Sequence, residues 1–402
     1  MRRLIYIFII GLLLCSYTWA DGSRYASKSL LSEGKWVKIR VDKTGIYKLS
    51  YADLKNMGFS DPSKVSVHGY GGWPLDEDFS KEYIDDVPST PVWRGSDYLL
   101  FYGKGPVKWE YDSSSQTFVH TNNPYSLYGY YFVTDATPTN DMTSVAQASG
   151  ATNRITTYDD YLVHEQELVS LAKSGRELYG EDFSGATPRT LSTFSSIPGI
   201  TNEDAKVTMS FVSKVTSGTG VASLSINQSN VLDVSIRSNR EEYVKALEGV
   251  STAVWKGEKS EKNSVVVSYN SASHNNVRLN YVRLHFKRTL QPYGAYTFFR
   301  SIASIGNVSR FVVQGANANT LVFDVTDAQR VRLMETELNG SELTFSIPAG
   351  TLREFVLVRT DQSFISPEVV GEVENQNLHA LEQKDMIIIA AKAFQTQAER
   401  LA

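Results

Sequence analysis

Six histidines are the first residues to test for chemistry: His68, His120, His164, His274, His285 and His379. A metal site needs imidazole, thiolate or carboxylate donors at short spacing. No two of these histidines are so spaced, and each is expected to be a surface or structural imidazole. His379, in the run Asn375–His379, is expected to be a linker residue packing against α/β structure; a site role is the alternative. Carboxylates cluster at Asp76-Glu77-Asp78, Asp85-Asp86 and Asp159-Asp160. Calcium wants several such oxygens, but no loop carries the alternating-aspartate calcium pattern, and 76–86 reads as a solvated acidic loop. No serine lies in a GxSxG elbow. Gly69-Tyr70-Gly71-Gly72 lacks the lysine and following helix of a phosphate loop, so it is expected to be a strand turn whose glycines supply unusual backbone angles. Tyr125, Tyr128, Tyr130, Tyr131 and Phe132 could stack sugars or meet a partner; core packing is the plainer account, and it also covers Trp36, Trp73, Trp93 and Trp109. The residues assign no catalytic position, metal or cofactor.

The elements that must hold these residues follow from periodicity. Val37, Ile39 and Val41 alternate with Lys38, Arg40 and Asp42, as in a half-buried strand. Lys43-Thr44-Gly45 is a turn, and Ile46–Leu49 a returning strand. Ser50 caps a short helix from Tyr51 to Met57, stopped by Gly58. Val65–His68, Asp97–Tyr102 and Tyr128–Thr134 read as further strands, the last closing a unit over 25–135. Thr, Ala, Ser and Asn dominate 136–154, a linker or long loop. A second β region, 155–370, has short strands near 207–211, 221–227, 231–236, 264–269, 279–287, 311–314, 320–325, 343–347 and 354–358. Many short strands punctuated by Gly, Asn and Ser predict a sandwich or jelly roll. In 279–287, Val282, Leu284 and Phe286 face one way and Tyr281, Arg283 and His285 the other. After a linker at 371–384, Asp385–Ala391 (DMIIIAA) reads as a strand buried on both faces, and Lys392–Ala402 as a helix. Together they look like the first step of an α/β domain left incomplete, since one strand and one helix cannot bury that face. The fold class is therefore mainly β, with a small N-terminal β domain, a sandwich region and one β-α unit.

The first 20 residues carry a targeting signature. Arg2 and Arg3 precede an apolar run, Leu4–Cys15, and Ala20 supplies a small residue for cleavage, as in a secretory signal peptide. The run falls short of the roughly 20 residues that span a bilayer, so a retained anchor is the lesser reading. Leu14 before Cys15 argues against lipidation. Cys15 is the only cysteine and lies inside this segment. The mature chain then has no disulfide partner, thiolate metal ligand or thiolate nucleophile, and must be held by its core, for which 42% hydrophobic content is ample. Without Arg2 and Arg3 there remain 38 basic against 44 acidic residues, net −6. No basic stripe stands out, which argues against a nucleic-acid partner.

Several segments, in order, carry a family resemblance. Gly34–Leu49, His68–Gly72 (HGYGG), Asp97–Pro106 (DYLLFYGKGP) and Asn122–Phe132 (NNPYSLYGYYF) resemble the N-terminal region of gingipain-related sortases of the type IX secretion system, the PorU-like cysteine peptidases. So do Arg176–Ser184, Asn280–Arg288, Val322–Asp327 and, above all, Asn375–Ile389 (NQNLHALEQKDMIII). The resemblance spans about 25–402. It implies export to the periplasm and outer-membrane surface of a Bacteroidetes-type bacterium. It also implies partners among attachment-complex proteins, and cargo that is cleaved at a sorting domain and joined to lipopolysaccharide. In that family the β domains precede a caspase-like domain with a Cys/His dyad. Here the resemblance ends at that domain's first strand and helix, so no catalytic residue carries over. The alternative is a stand-alone exported module binding glycan or protein.

Overall fold

A computed structural model describes residues 25–78, 80–81, 84–171, 177–215, 217–238, 246–272, 274 and 276–402. The signal segment lies outside the described residues.

The chain is mainly β. Trp36–Val41 pairs antiparallel with Gly129–Thr134, and that strand with Ser66–Gly71, in a five-stranded sheet completed by Ser89–Thr90 and Glu368–Val373. Gly45–Ser50 does not return against Trp36–Val41. It joins Tyr98–Gly103 and Val92–Arg94 in a second sheet. The two sheets face each other over Ile39, Val41, Tyr47, Leu49, Phe101, Tyr131 and Val133. Ser50 caps the helix Tyr51–Asn56 as read, through a box in which the Asp53 N–H donates to its Oγ at 3.0 Å.

The second region is built on one nine-stranded sheet. One half, including Thr157–Glu165, Val277–Thr289, Ala205–Ser213 and Leu247–Trp255, is covered by a four-stranded sheet around Thr219–Ile226. The other half, including Tyr296–Arg300, Glu354–Arg359 and Thr320–Asp324, is covered by a four-stranded sheet around Ser309–Val313 and Glu342–Ile347, over a stack of Phe299, Phe311, Phe345 and Phe355. Val282, Leu284 and Phe286 enter the core as their alternation predicts. A further cluster joins the regions. Ile46, Leu100 and Tyr102 of the three-stranded sheet pack on Phe323, Val356 and Val358.

Three segments differ from the sequence reading. The stretch 136–154 is no free linker, because Ser144–Val145 and the start of Asn153–Ile155 pair in parallel with Arg332–Met334 and Ser309–Val313. Glu368–Val373 crosses the expected junction at 370 and becomes the edge strand of the N-terminal sheet, with Arg40 gripping Glu368 at 2.6 Å. Composition cannot report such a return, because register is set by a distant partner. Asp385–Ala391 forms no strand among the described residues; Ile387 and Ile389 are exposed, Ile389 at 95%, while Gln395–Leu401 is helical as read.

Candidate functional site

A cleft of about 1230 Å³ opens where the two regions meet. One wall is the strand Ser66–Gly71, whose register against Gly129–Thr134 shifts between His68 and Gly71. Gly71 has φ +86°, and a Cβ there would lie 2.7 Å from the Tyr131 hydroxyl and 2.9 Å from the Lys104 carbonyl, so only glycine fits. The expected turn is thus a bulge inside a strand, and it carries Tyr70 to the cleft. Beneath it Lys104 is 3% exposed, with Nζ 3.9 Å from the Tyr70 ring centre and 4.7 Å from that of Trp73. Burial lowers its pKa to about 8.

The opposite wall is the hairpin Val107–Asp112 and Thr117–Asn122, laid across the nine-stranded sheet. Trp109 stacks on Tyr161 at 3.9 Å, Phe118 meets His285 edge-on at 5.3 Å, and Arg283 donates to the Phe118 carbonyl at 2.9 Å. Each such aromatic pair contributes about 0.5–1.5 kcal/mol beyond its buried area. The hairpin delivers His120 and Asn122. His120 Nε2 lies 2.9 Å from Glu165 Oε2, and its ring meets Tyr281 edge-on at 4.9 Å. Its side chain is 4% exposed, and Nδ1, also buried, has no hydrogen-bond partner. Asn122 Nδ2 donates to Glu165 at 2.7 Å and to Glu167 at 3.1 Å. Partial burial, reinforced by Glu165, raises the pKa of Glu167. Glu177, Glu248 and Tyr125 complete this face, Tyr125 being 77% exposed.

The remaining predicted residues lie elsewhere and serve the scaffold. His68 is buried between Ser66 and Thr137, and burial lowers its pKa. His164 pairs with Glu181 at 2.7 Å and His274 with the Tyr269 hydroxyl at 2.5 Å. Asp159 is held by His285, Lys287 and the Ile302 N–H; Asp160 faces Arg288 at 2.9 Å and Arg300 at 3.7 Å. Arg300 is 2% exposed and reaches Glu354 at 2.9 Å, part of a network across neighbouring strands of the nine-stranded sheet. Asp76 pairs with Lys81, and Asp78 caps Ser80. Among the described residues no three His, Cys, Asp or Glu side chains converge to hold a metal.

His379 is the exception among the scaffold histidines. Its Nε2 lies 2.6 Å from Asp85 Oδ1 and its Nδ1 shares a hydrogen bond of 2.8 Å with Ser29 Oγ. Ser, His and Asp in line suggest a hydrolytic triad. However, Ser29 is 6% exposed and its Oγ also accepts the His379 N–H at 3.1 Å, so the hydroxyl is engaged rather than poised for attack. The arrangement is a clasp. Asp86 accepts the Leu30 N–H, Asn377 accepts the Ser29 N–H, and Asn375 donates to the Leu31 and Gly34 carbonyls. Sequence reading missed the clasp because about 350 residues separate Ser29 from His379, and it missed Lys104, Glu165 and Glu167 because single charges in a β chain carry no spacing signal.

No family model matches the chain, and no curated protein matches it. Among solved structures, fold and sequence together define a PorU-like N-terminal region, and hence a type IX secretion protein related to the gingipains. The structure matched is dimeric latent PorU from Porphyromonas gingivalis, with a TM-score of 0.86 and 32% identity over 94% of this chain. The chain spans 36% of that protein's length. BuGH86wt in complex with neoagarooctaose and an Arthrobacter globiformis isomalto-dextranase complexed with panose are also retrieved, at 11% and 10% identity over 64% of this chain and 33% and 36% of theirs. Their TM-scores of 0.21 and 0.18 carry no argument. No helix among the described residues is long and apolar enough to cross a membrane.

Proposed function

We propose that this chain is the non-catalytic front part of a type IX secretion sortase-like cysteine peptidase. Residues 1–20 direct export, and the protein works at the outer-membrane surface. Its β regions position a caspase-like domain that cleaves the sorting domain of secreted cargo and joins the cargo to its surface anchor, and they contact other proteins of the attachment machinery. The observation that carries this reading is the match to PorU over 94% of the chain at 32% identity. The exposed Met386, Ile387 and Ile389 support it, since an apolar run left in water asks for a partner face. In this reading the peptidase dyad belongs to the adjoining domain, and the chain supplies no nucleophile. Residues 25–402, incubated with a sorting-domain peptide, give no cleavage above buffer; turnover that co-purifies with the chain and resists a thiol-directed inhibitor would overturn the assignment of catalysis to another domain, because 25–402 holds no cysteine.

A further inference from the structure

Among the described residues the cleft holds an uncompensated negative charge. Glu165, Glu167, Glu177 and Glu248 line it, and among the described residues none is ion-paired to a lysine or arginine. Their hydrogen bonds come from neutral donors and one imidazole: Asn122 and His120 on Glu165, Asn122 on Glu167, the Tyr179 hydroxyl on Glu177, and Ser210 and Asn280 on Glu248. The nearby cations are engaged elsewhere: Arg40 pairs with Glu368, Arg283 donates to the Phe118 carbonyl, and both, with Lys38, also lie over ring faces. Arg40 lies over Tyr128 at 4.1 Å, Lys38 over Tyr130 at 4.1 Å and Arg283 over Tyr281 at 4.9 Å. His120 adds a second sign of an unfilled site, a deeply buried polar side chain on the cleft wall whose Nδ1 is unsatisfied.

From this we propose that the cleft is a binding site for a cationic peptide segment, with an arginine or lysine seated between the glutamates and the exposed ring of Tyr125. Carboxylates recognise guanidinium through paired charge-assisted hydrogen bonds, and an open tyrosine face attracts the same cation. A metal ion is disfavoured, because the carboxylates are spread along the wall and, among the described residues, no three metal-binding side chains converge. A neutral glycan would use the aromatic face but leave the four glutamates without a counter-charge. The site stands on the cleft alone and does not depend on the sortase reading.

Fluorescence anisotropy tests it on the chain as produced, with a labelled hexapeptide alternating arginine and phenylalanine. Its counterpart carries citrulline in place of arginine. The arginine peptide is expected to bind at least tenfold more tightly, and to weaken as salt is raised. Glu167→Gln with Glu177→Gln lowers affinity about tenfold or more, and Tyr125→Ala a few-fold. All three side chains are exposed, so these variants keep the fold; Glu165→Gln is avoided as the lead variant because it removes a buried pair. Equal binding of the citrulline peptide overturns the proposal. So does unchanged affinity in the double variant, displacement of the peptide by cellohexaose, displacement by calcium chloride beyond that caused by sodium chloride at matched ionic strength, or no saturable binding below millimolar peptide.

Discussion

Lys104 is the residue whose burial is least expected from its type. It is held by two aromatic faces and, among the described residues, pairs with no carboxylate. A lysine whose folded pKa is lowered to about 8 loses its proton on folding between pH 8 and its unfolded value near 10.5. In that window the unfolded chain binds more protons, so stability rises with pH. Between pH 7 and 9.5 the gain from this one group is about 2 kcal/mol. Denaturant unfolding at the two pH values reads it, and Lys104→Met is expected to flatten the difference. The window stops short of the tyrosines: burial raises Tyr131 and Tyr158 well above the usual value of 10, so above that value folding is opposed by protons they retain. At this scale little was legible beforehand. A glycine pair flanking a tyrosine announced a special backbone. It did not say that the backbone would be a strand bulge closing over a lysine more than thirty residues away.

Hydrophobic alternation located most of the strands, because it reports which face is buried. Val282, Leu284 and Phe286 are an example. Alternation was silent on Val107–Asp112 and Thr117–Asn122, where Trp109, Tyr111, Phe118 and His120 share a ribbon with charges on the same stretch. That hairpin is the element on which the cleft depends. Phe118 is buried against Tyr161, His285 and Arg300. Phe118→Ala is expected to cost about 3–5 kcal/mol, as for a buried phenylalanine elsewhere, and to detach His120 from Glu165; thermal melting checks the first and the ring-proton chemical shifts of His120 the second. The clasp is a second long-range element. Asp85 raises the pKa of His379, so its stabilisation is present below 6.5 and lost as pH rises through the raised folded value. The pKa of Asp85 is lowered, first by the Ala26 N–H and then by His379, so its share is present above 3.8 and lost as pH falls through that lowered value. Protection factors against hydrogen exchange at the Ser29 and His379 amides should be highest between those limits, and His379→Gln should remove the basic-side change.

At the scale of the molecule, the chain threads its last sheet strand, Glu368–Val373, back onto the first, Trp36–Val41. The N-terminal region is therefore complete only when the sandwich region has been traversed. The clasp at Ser29, Asp85 and His379 then fixes where the chain leaves the β body. Beyond it the run Met386–Ile389 stands in solvent, apolar and without a sheet to join among the described residues. Mainly β architecture and the PorU-like character were legible from composition and from motifs in order. The return strand and the fate of Asp385–Ala391 were not. Pairing depends on partners far off in sequence, and an apolar run becomes a strand only where a neighbour offers a ladder.

The proposed function requires that this β body serve a peptidase domain docking on its exposed tail. The direct measurement is binding in trans of residues 25–402 to a separately produced caspase-like domain of a PorU protein, by calorimetry, with Ile387→Asp and Ile389→Asp as the paired variant. A saturable complex is expected, which the paired variant abolishes while its melting temperature stays unchanged, because both side chains are exposed in the free chain. Absence of any complex, or a complex indifferent to those substitutions, would contradict it.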